Sequence, residues 1–157
     1  MRSSLSTKTE EGAEFLEAQE FGAALLSRKD CFSQELFAAA LQKGFDRDVV
    51  DALVVKFLDL GFLNDERLAV AIAEREIGEK RRGPERVRQK LELRGVSEST
   101  IQAALSRVQV SEAELIQESL RKAKLEDASA AKIGRFLAAR GFTEEAVESF
   151  LLEHFTG

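Results

Sequence analysis

The chain has 157 residues, 44% of them hydrophobic and 32% charged, which supplies a core and argues against disorder. One proline, Pro84, and ten well-separated glycines are too few for the turns of an all-β fold, whereas Ala, Leu, Glu, Lys and Arg favour helices. The formal net charge of −5 is unevenly spread: residues 1–66 carry seven bases and thirteen acids, residues 67–94 nine and five, and residues 95–157 seven and ten.

In chain order, residues 1–12 are polar and aperiodic and predict a flexible tail. Helical spacing starts near Glu14 and continues to Arg28, with Phe15, Phe21 and Leu25 inward. A second helix ends at Lys43 and Gly44. Asp46 caps a third, which Gly61 closes, and Phe62 and Leu63 are expected to plug a core between repeats. Asn64 opens the next helix, with Leu68, Ile72 and Ile77 inward. Pro84 takes the first position of a short helix to Arg94, where its missing N–H costs nothing, and Val87 and Leu91 face inward. Ser97 caps Glu98–Val108. Ser111–Glu114 has the pattern of a capping box, followed by inward Leu115, Ile116 and Leu120. A helix ending at Arg140 and Gly141 leads to Thr143, the cap of the last helix.

Three stretches repeat one pattern: Lys43-Gly44-Phe45-Asp46, Arg94-Gly95-Val96-Ser97 and Arg140-Gly141-Phe142-Thr143. In each, a basic residue suits the negative end of a helix dipole, glycine takes the left-handed position, and a polar residue caps the next helix. Eight residues before the glycine lie Leu36, Val87 and Ile133, and four before it Ala40, Leu91 and Leu137. These spacings mark inward faces. The prediction is an all-α fold of three tandem three-helix repeats, residues 13–62, 63–109 and 110–157, forming an elongated, curved molecule.

Catalytic patterns are missing. The single cysteine, Cys31, and single histidine, His154, stand far apart and are read as a buried hydrophobe and a helix-end packing residue. No glycine-rich phosphate loop is present, and acid pairs such as Glu144 and Glu145 sit where helix starts favour them. No enzyme activity, cofactor or metal is expected. Without a long apolar run or a signal-peptide core, no membrane contact is expected either, and the compartment is read as a reducing cytoplasm.

The informative stretch is basic. Between Lys80 and Arg94 seven bases face two acids, and the bases are Lys80, Arg81, Arg82, Arg86, Arg88, Lys90 and Arg94. With Val87 and Leu91 inward, Arg82, Arg86, Arg88 and Lys90 should point to solvent, relieved only by local pairs such as Arg88 with Glu92. Like charges stacked at 82, 86 and 90 without a local partner suggest an external one. Because the protein as a whole is acidic, the belt suits one acidic partner surface, or nucleic acid at one place only, and not general DNA binding. The first use fits a regulator or a helical-repeat adaptor, the second a helical nucleic-acid-binding module.

The motifs Gly61-Phe-Leu-Asn-Asp-Glu-Arg-Leu-Ala69, Arg82-Gly-Pro-Glu-Arg-Val-Arg-Gln-Lys-Leu91 and Leu93-Arg-Gly-Val-Ser97, with Ala23-Ala-Leu-Leu-Ser-Arg-Lys29, together resemble the RecX family of bacterial regulatory proteins over residues 14–154. Leu68, Phe62 and Asn64 depart from the residues usual there. The resemblance implies a monomeric, non-enzymatic, cytoplasmic modulator of the RecA recombinase. Such a protein would bind RecA and the RecA–DNA filament with weak or indirect DNA contact, and inhibit ATP turnover, strand exchange and co-protease activity. Carried over onto this sequence, it implies partner-binding roles for Asp65, Arg67, Arg75, Pro84 and Arg86, with Gly83 beside them. The remaining belt residues Lys80, Arg81, Arg82, Arg88, Lys90 and Arg94 join that surface through their charge.

Overall fold

A computed structural model describes residues 4–109 and 111–156 of the chain. Among the described residues it is all α-helical. The helices are α1 Ser4–Arg28, α2 Ser33–Lys43, α3 Arg47–Asp59, α4 Asp65–Glu74, α5 Pro84–Leu93, α6 Glu98–Arg107, α7 Glu112–Ala123, α8 Ala130–Ala139 and α9 Glu144–Thr156. A π-helical turn, Arg75–Glu79, prolongs α4. Helix α1 starts about ten residues earlier than its apolar spacing suggested, so residues 4–12, expected as a tail, are helical. Their composition explains the miss: helix propensity continues there without an inward stripe to reveal it. Residues 1–3 of the expected tail lie outside the described residues.

The residues group into two compact units, 1–68 with 94–96, and 69–93 with 97–157. In the first, α1, α2 and α3 enclose Ala18, Leu36, Val49, Leu53, Phe57 and Leu63, with Phe15, Leu25 and Phe45 packed against them. Leu63 plugs this core as expected. Phe62 does not: it is 62% exposed and meets only the edge of the Phe57 ring, at 5.5 Å. Having left the helix through Gly61, the chain can direct only one of two adjacent side chains inward.

In the second unit the buried set includes Ala69, Ala73, Ile77, Val87, Leu91, Ile101, Ile116, Leu120, Ile133 and Leu137. The apolar positions eight and four residues before each turn glycine are fully buried in all three repeats of the pattern. Full burial of a Leu, Ile or Val side chain is worth about 1.5–3 kcal/mol, so these paired anchors hold each α2-, α5- and α8-type helix in place.

Caps follow the sequence in part. Asn64 Oδ1 accepts from Arg67 N, Ser97 Oγ from Thr100 N and Thr143 Oγ1 from Ala146 N. Ser111 makes no side-chain cap, and the expected capping box there is replaced by a longer reach: Glu112 accepts from both Thr143 N and Thr143 Oγ1, at 3.0 and 2.8 Å. In the first unit Glu14 likewise accepts from Asp46 N at 2.8 Å. An acid on the first helix thus satisfies an orphan donor at the start of the third.

All three turn glycines are left-handed, with φ of 108° at Gly44, 78° at Gly95 and 88° at Gly141. Their surroundings differ. A Cβ on Gly44 would meet nothing, whereas one on Gly141 would lie 2.4 Å from Arg86 Cβ and 2.5 Å from Arg86 N. Gly83 is equally tight, since a Cβ there would lie 2.3 Å from the Gly141 carbonyl oxygen. The 140–141 turn is therefore pressed backbone to backbone against the start of α5. Gly83 N donates to Arg140 O and Glu85 N to Gly141 O, both at 2.9 Å.

Substitution should separate conformational strain from docking. Gly44→Ala is expected to cost about 1–2 kcal/mol from left-handed strain alone. Gly141→Ala should cost a further 1–3 kcal/mol or so, because the α5 backbone must move. Urea unfolding followed by far-ultraviolet dichroism checks this in a chain without Trp or Tyr. Equal losses at the two positions would contradict the docked arrangement.

Candidate partner-binding surface

The belt begins where α4 changes pitch. Ala69, Ala73 and Ile77 form its inward stripe, and Glu76, beside Ile77, is carried inward with it to 1% exposure. The wide turn closes with Lys80 N donating to Arg75 O at 3.1 Å and Arg82 N to Glu76 O at 2.9 Å, which satisfies carbonyls that a helix end would orphan. Arg81 then takes a left-handed conformation, with φ of 54°. Its carbonyl accepts from Ser119 Oγ and from Arg140 Nη2, both at 3.4 Å, and Arg140 Nη2 also reaches Lys80 O at 2.7 Å.

A buried carboxylate is costly unless paired, and Glu76 is paired several times over. Lys90 Nζ and Lys80 Nζ donate to Oε1 at 2.5 and 2.9 Å, and Arg82 Nε stands 3.8 Å from Oε2. The other bases find acids remote in sequence. Arg81 pairs with Glu118 at 3.1 Å, Arg88 with Glu98, and Arg94 with Glu35 at 2.8 Å. Of these carboxylates none lies between Lys80 and Arg94.

This corrects the expectation that Arg82 and Lys90 lack a partner within the protein and that Arg88 pairs with Glu92. Arg88 does not pair with Glu92; it pairs with Glu98 across the 95–97 turn and approaches Glu85 at 3.9 Å. Within the belt only Arg86 keeps a guanidinium with no ion pair or hydrogen bond among the described residues, and outside it the Arg67 and Arg75 side chains do so too. All three are exposed.

The remaining candidates have internal work. Both oxygens of Asp65 accept from Ser33, at 2.8 Å from its N–H and 2.5 Å from its hydroxyl, which caps the start of α2. Pro84 occupies the first turn of α5 as expected. Arg94 lies over the Phe32 ring at 4.8 Å and donates to Glu35 and to the Asp30 carbonyl. Arg140 is its counterpart in the second unit, gripping the carbonyls of Lys80 and Arg81. Cys31 is buried, and burial raises its thiol above the ordinary range. His154 is an exposed helix-end residue stacked on Phe150 at 5.2 Å.

Residue-level reading of the sequence missed Glu76. The available signal was an acid adjacent to Ile77 on the stripe from Ala69 and Ala73. No group of His, Cys, Asp or Glu among the described residues could hold a metal ion. No helix among them is long and apolar enough to cross a membrane.

Burial opposes ionisation of Glu76, but hydrogen bonds from Lys90 and Lys80 outweigh it and hold the carboxyl below the usual range. Glu35 is lowered in the same way against burial, by Arg94 and the Phe32 N–H. Glu98 is lowered by Arg88 and Gln102. In each case the folded value lies below the unfolded one, so the stabilisation is complete above the ordinary value of 4.5 and is lost as pH falls through the folded value.

Comparison with known proteins bears on what this surface serves. Residues 64–105, which contain the whole belt, match the family model of the RecX second three-helix domain. The Regulatory protein RecX of Vibrio vulnificus (strain CMCP6) is 33% identical over 129 residues, covering 78% of this chain and 83% of that protein. The protein of the same name from Vibrio cholerae serotype O1 (strain M66-2) is 42% identical over 67 residues, 43% of each chain. The fold resembles the crystal structure of RecX from Lactobacillus salivarius with a TM-score of 0.79 at 17% identity, covering 93% of this chain and 99% of that one.

The geometry separates structural cations from free ones. Lys90→Glu should cost about 2–3 kcal/mol by setting a second carboxylate against buried Glu76. Arg86→Glu should stay within about 0.5 kcal/mol, as exposed substitutions do. The unfolding free energy of the parent should fall as pH drops below about 4.5, with a shallower slope in Glu76→Gln. Urea midpoints across pH 3–7 would check both. Equal destabilisation by Lys90→Glu and Arg86→Glu would refute the assignment.

Proposed function

The chain belongs to the RecX family of regulatory proteins, and from that premise we propose that it binds the RecA filament on DNA and inhibits ATP turnover, strand exchange and co-protease activity. The observation that carries the reading is the pair Arg75 and Arg86, exposed and without internal partners inside the segment that matches the family's second domain. Arg67 offers a third free guanidinium. Unpaired exposed guanidinium groups are ready to meet a complementary acidic surface, where such charges govern encounter rate and specificity.

In this reading Asp65 and Arg94 act mainly by fixing the first unit, which carries Arg67, and Arg81, Pro84 and Arg88 by fixing the second, which carries Arg75 and Arg86. Lys80, Arg82 and Lys90 add a partly neutralised positive rim. With so few unmatched cations in the belt and a net charge of −5, affinity for bare DNA is low, because non-specific binding grows with the number of phosphates neutralised. The protein acts as a monomer in the cytoplasm, as a non-enzymatic effector, through repeats at residues 13–62, 63–109 and 110–157. What supports that division is that two of the three basic–glycine turns, at Arg94 and Arg140, make the same kind of grip on carbonyls preceding a helix.

RecA ATP hydrolysis on single-stranded DNA is the readout. The parent protein should inhibit it, and Arg75→Glu with Arg86→Glu should weaken inhibition by about tenfold or more, with an unchanged dichroism spectrum. Reversing Lys122, Lys132 and Arg135, exposed bases elsewhere, should change it little. Undiminished inhibition by the double variant would remove the proposed surface, and no inhibition by the parent would remove the function.

A further inference from the structure

Glu76 is more than a neutralised buried acid. Its buried Oε2 has no hydrogen bond, and Glu76 belongs to the lining of a cavity of about 280 Å³, whose other walls are Arg82, Arg86, Gln89, Lys90 and Leu93. Three cations, Lys80, Arg82 and Lys90, lie within 4 Å of that one carboxylate, and Arg86 adds a fourth to the cavity wall. At the cavity stands Leu93, 89% exposed. Its open side chain places an apolar contact directly beside the cluster of charge.

We infer that this cavity is a seat for a carboxylate side chain of a partner protein, with a neighbouring apolar side chain of that partner resting on Leu93, and that Glu76 is the positioning residue that sets the cations around the seat. The inference deepens the proposed function and rests on it for the identity of the partner. Arg82 is the bridge. Its Nε stands 3.8 Å from Glu76 Oε2, an ion pair without a hydrogen bond, so the guanidinium keeps its donors for a fork to a second carboxylate. Arg86, free of internal pairs, supplies the opposite wall. A phosphate backbone fits less well, because it would make no use of Leu93 and is best held by a run of unmatched cations, whereas here Lys80 and Lys90 are already engaged.

The test uses the full chain and does not depend on RecA. Arginine Nε–H signals of Arg82 and Arg86 are followed by nuclear magnetic resonance during titration with N-acetyl-Asp-Leu-amide, with its Asn-Leu counterpart, and with inorganic phosphate. The Asp-Leu peptide should shift both signals at concentrations at least about fivefold lower than phosphate, and the Asn-Leu peptide should not shift them. Leu93→Ser should weaken Asp-Leu binding and leave an Asp-Gly peptide unaffected. Glu76→Gln is the decisive variant, because simple electrostatics makes the seat more positive and predicts tighter binding, whereas loss of positioning predicts weaker binding, by about fivefold. If Glu76→Gln fails to fold, Arg82→Lys decides: charge is kept and the fork is lost, so the peptide should weaken by a similar factor.

Tighter binding by Glu76→Gln, unchanged binding by Arg82→Lys, or preference for phosphate would each overturn the inference. Should the parent leave RecA untouched, the functional reading falls while these titrations still decide the seat. Should it inhibit RecA while the peptides leave Arg82 and Arg86 unmoved, the seat falls and the function stands.

Discussion

The second unit depends on one close approach of two backbones. Arg140 and Gly141 lie against Gly83 and Arg86 so tightly that neither glycine could carry a methyl group, and paired backbone hydrogen bonds seal the contact. Everything downstream follows from that fit. Arg140 can reach the carbonyls of Lys80 and Arg81 only because the turn is seated, and those carbonyls belong to the segment that leads from the wide turn of α4 into α5. Burial depresses the affinity of Arg140 for its proton, with the Arg82 charge adding to the effect. Carbonyl oxygens rather than a carboxylate offset part of that cost at Nη2, while the buried Nε has no hydrogen-bond partner.

The first unit uses the same device in looser form. Arg94 reaches the Asp30 carbonyl and adds the Glu35 carboxylate and the Phe32 ring face, while a Cβ on Gly95 would come no nearer than 3.1 Å, to the flexible Gln34 side chain. The corresponding turn at Lys43 and Gly44 is open, with nothing near the glycine. Arginine at 94 and 140 and lysine at 43 fit this division. A planar fork suits several fixed acceptors at once, and an ammonium suffices where only water is met.

Burial of Glu76 reshapes the electrostatics of the belt. Seven bases against two acids in fifteen residues suggest a strongly positive strip, but most of that charge is matched by acids brought in from Glu35, Glu76, Glu98 and Glu118. Specificity in such a surface comes from the few cations left over, not from its total.

Sequence alone determined the helical class, the threefold pattern and most inward positions, because these depend on local rules: period, capping, left-handed glycine and proline at a helix start. The paired anchors Leu36 and Ala40, Val87 and Leu91, Ile133 and Leu137 were legible for that reason, as was the family from its motifs. Apart from the helical-spaced pairs of Lys80 with Glu76 and Arg88 with Glu85, tertiary structure decided where the belt's charges found partners. Glu98 lies ten residues from Arg88, Glu118 lies 37 from Arg81, and Glu35 lies 59 from Arg94. No local rule pairs residues at such separations. The same is true of Gly83, whose sequence context explains a helix start and not the backbone pressed against it. Coulomb attraction depends on distance in space and burial on what surrounds a side chain, and both exist only once the chain has folded.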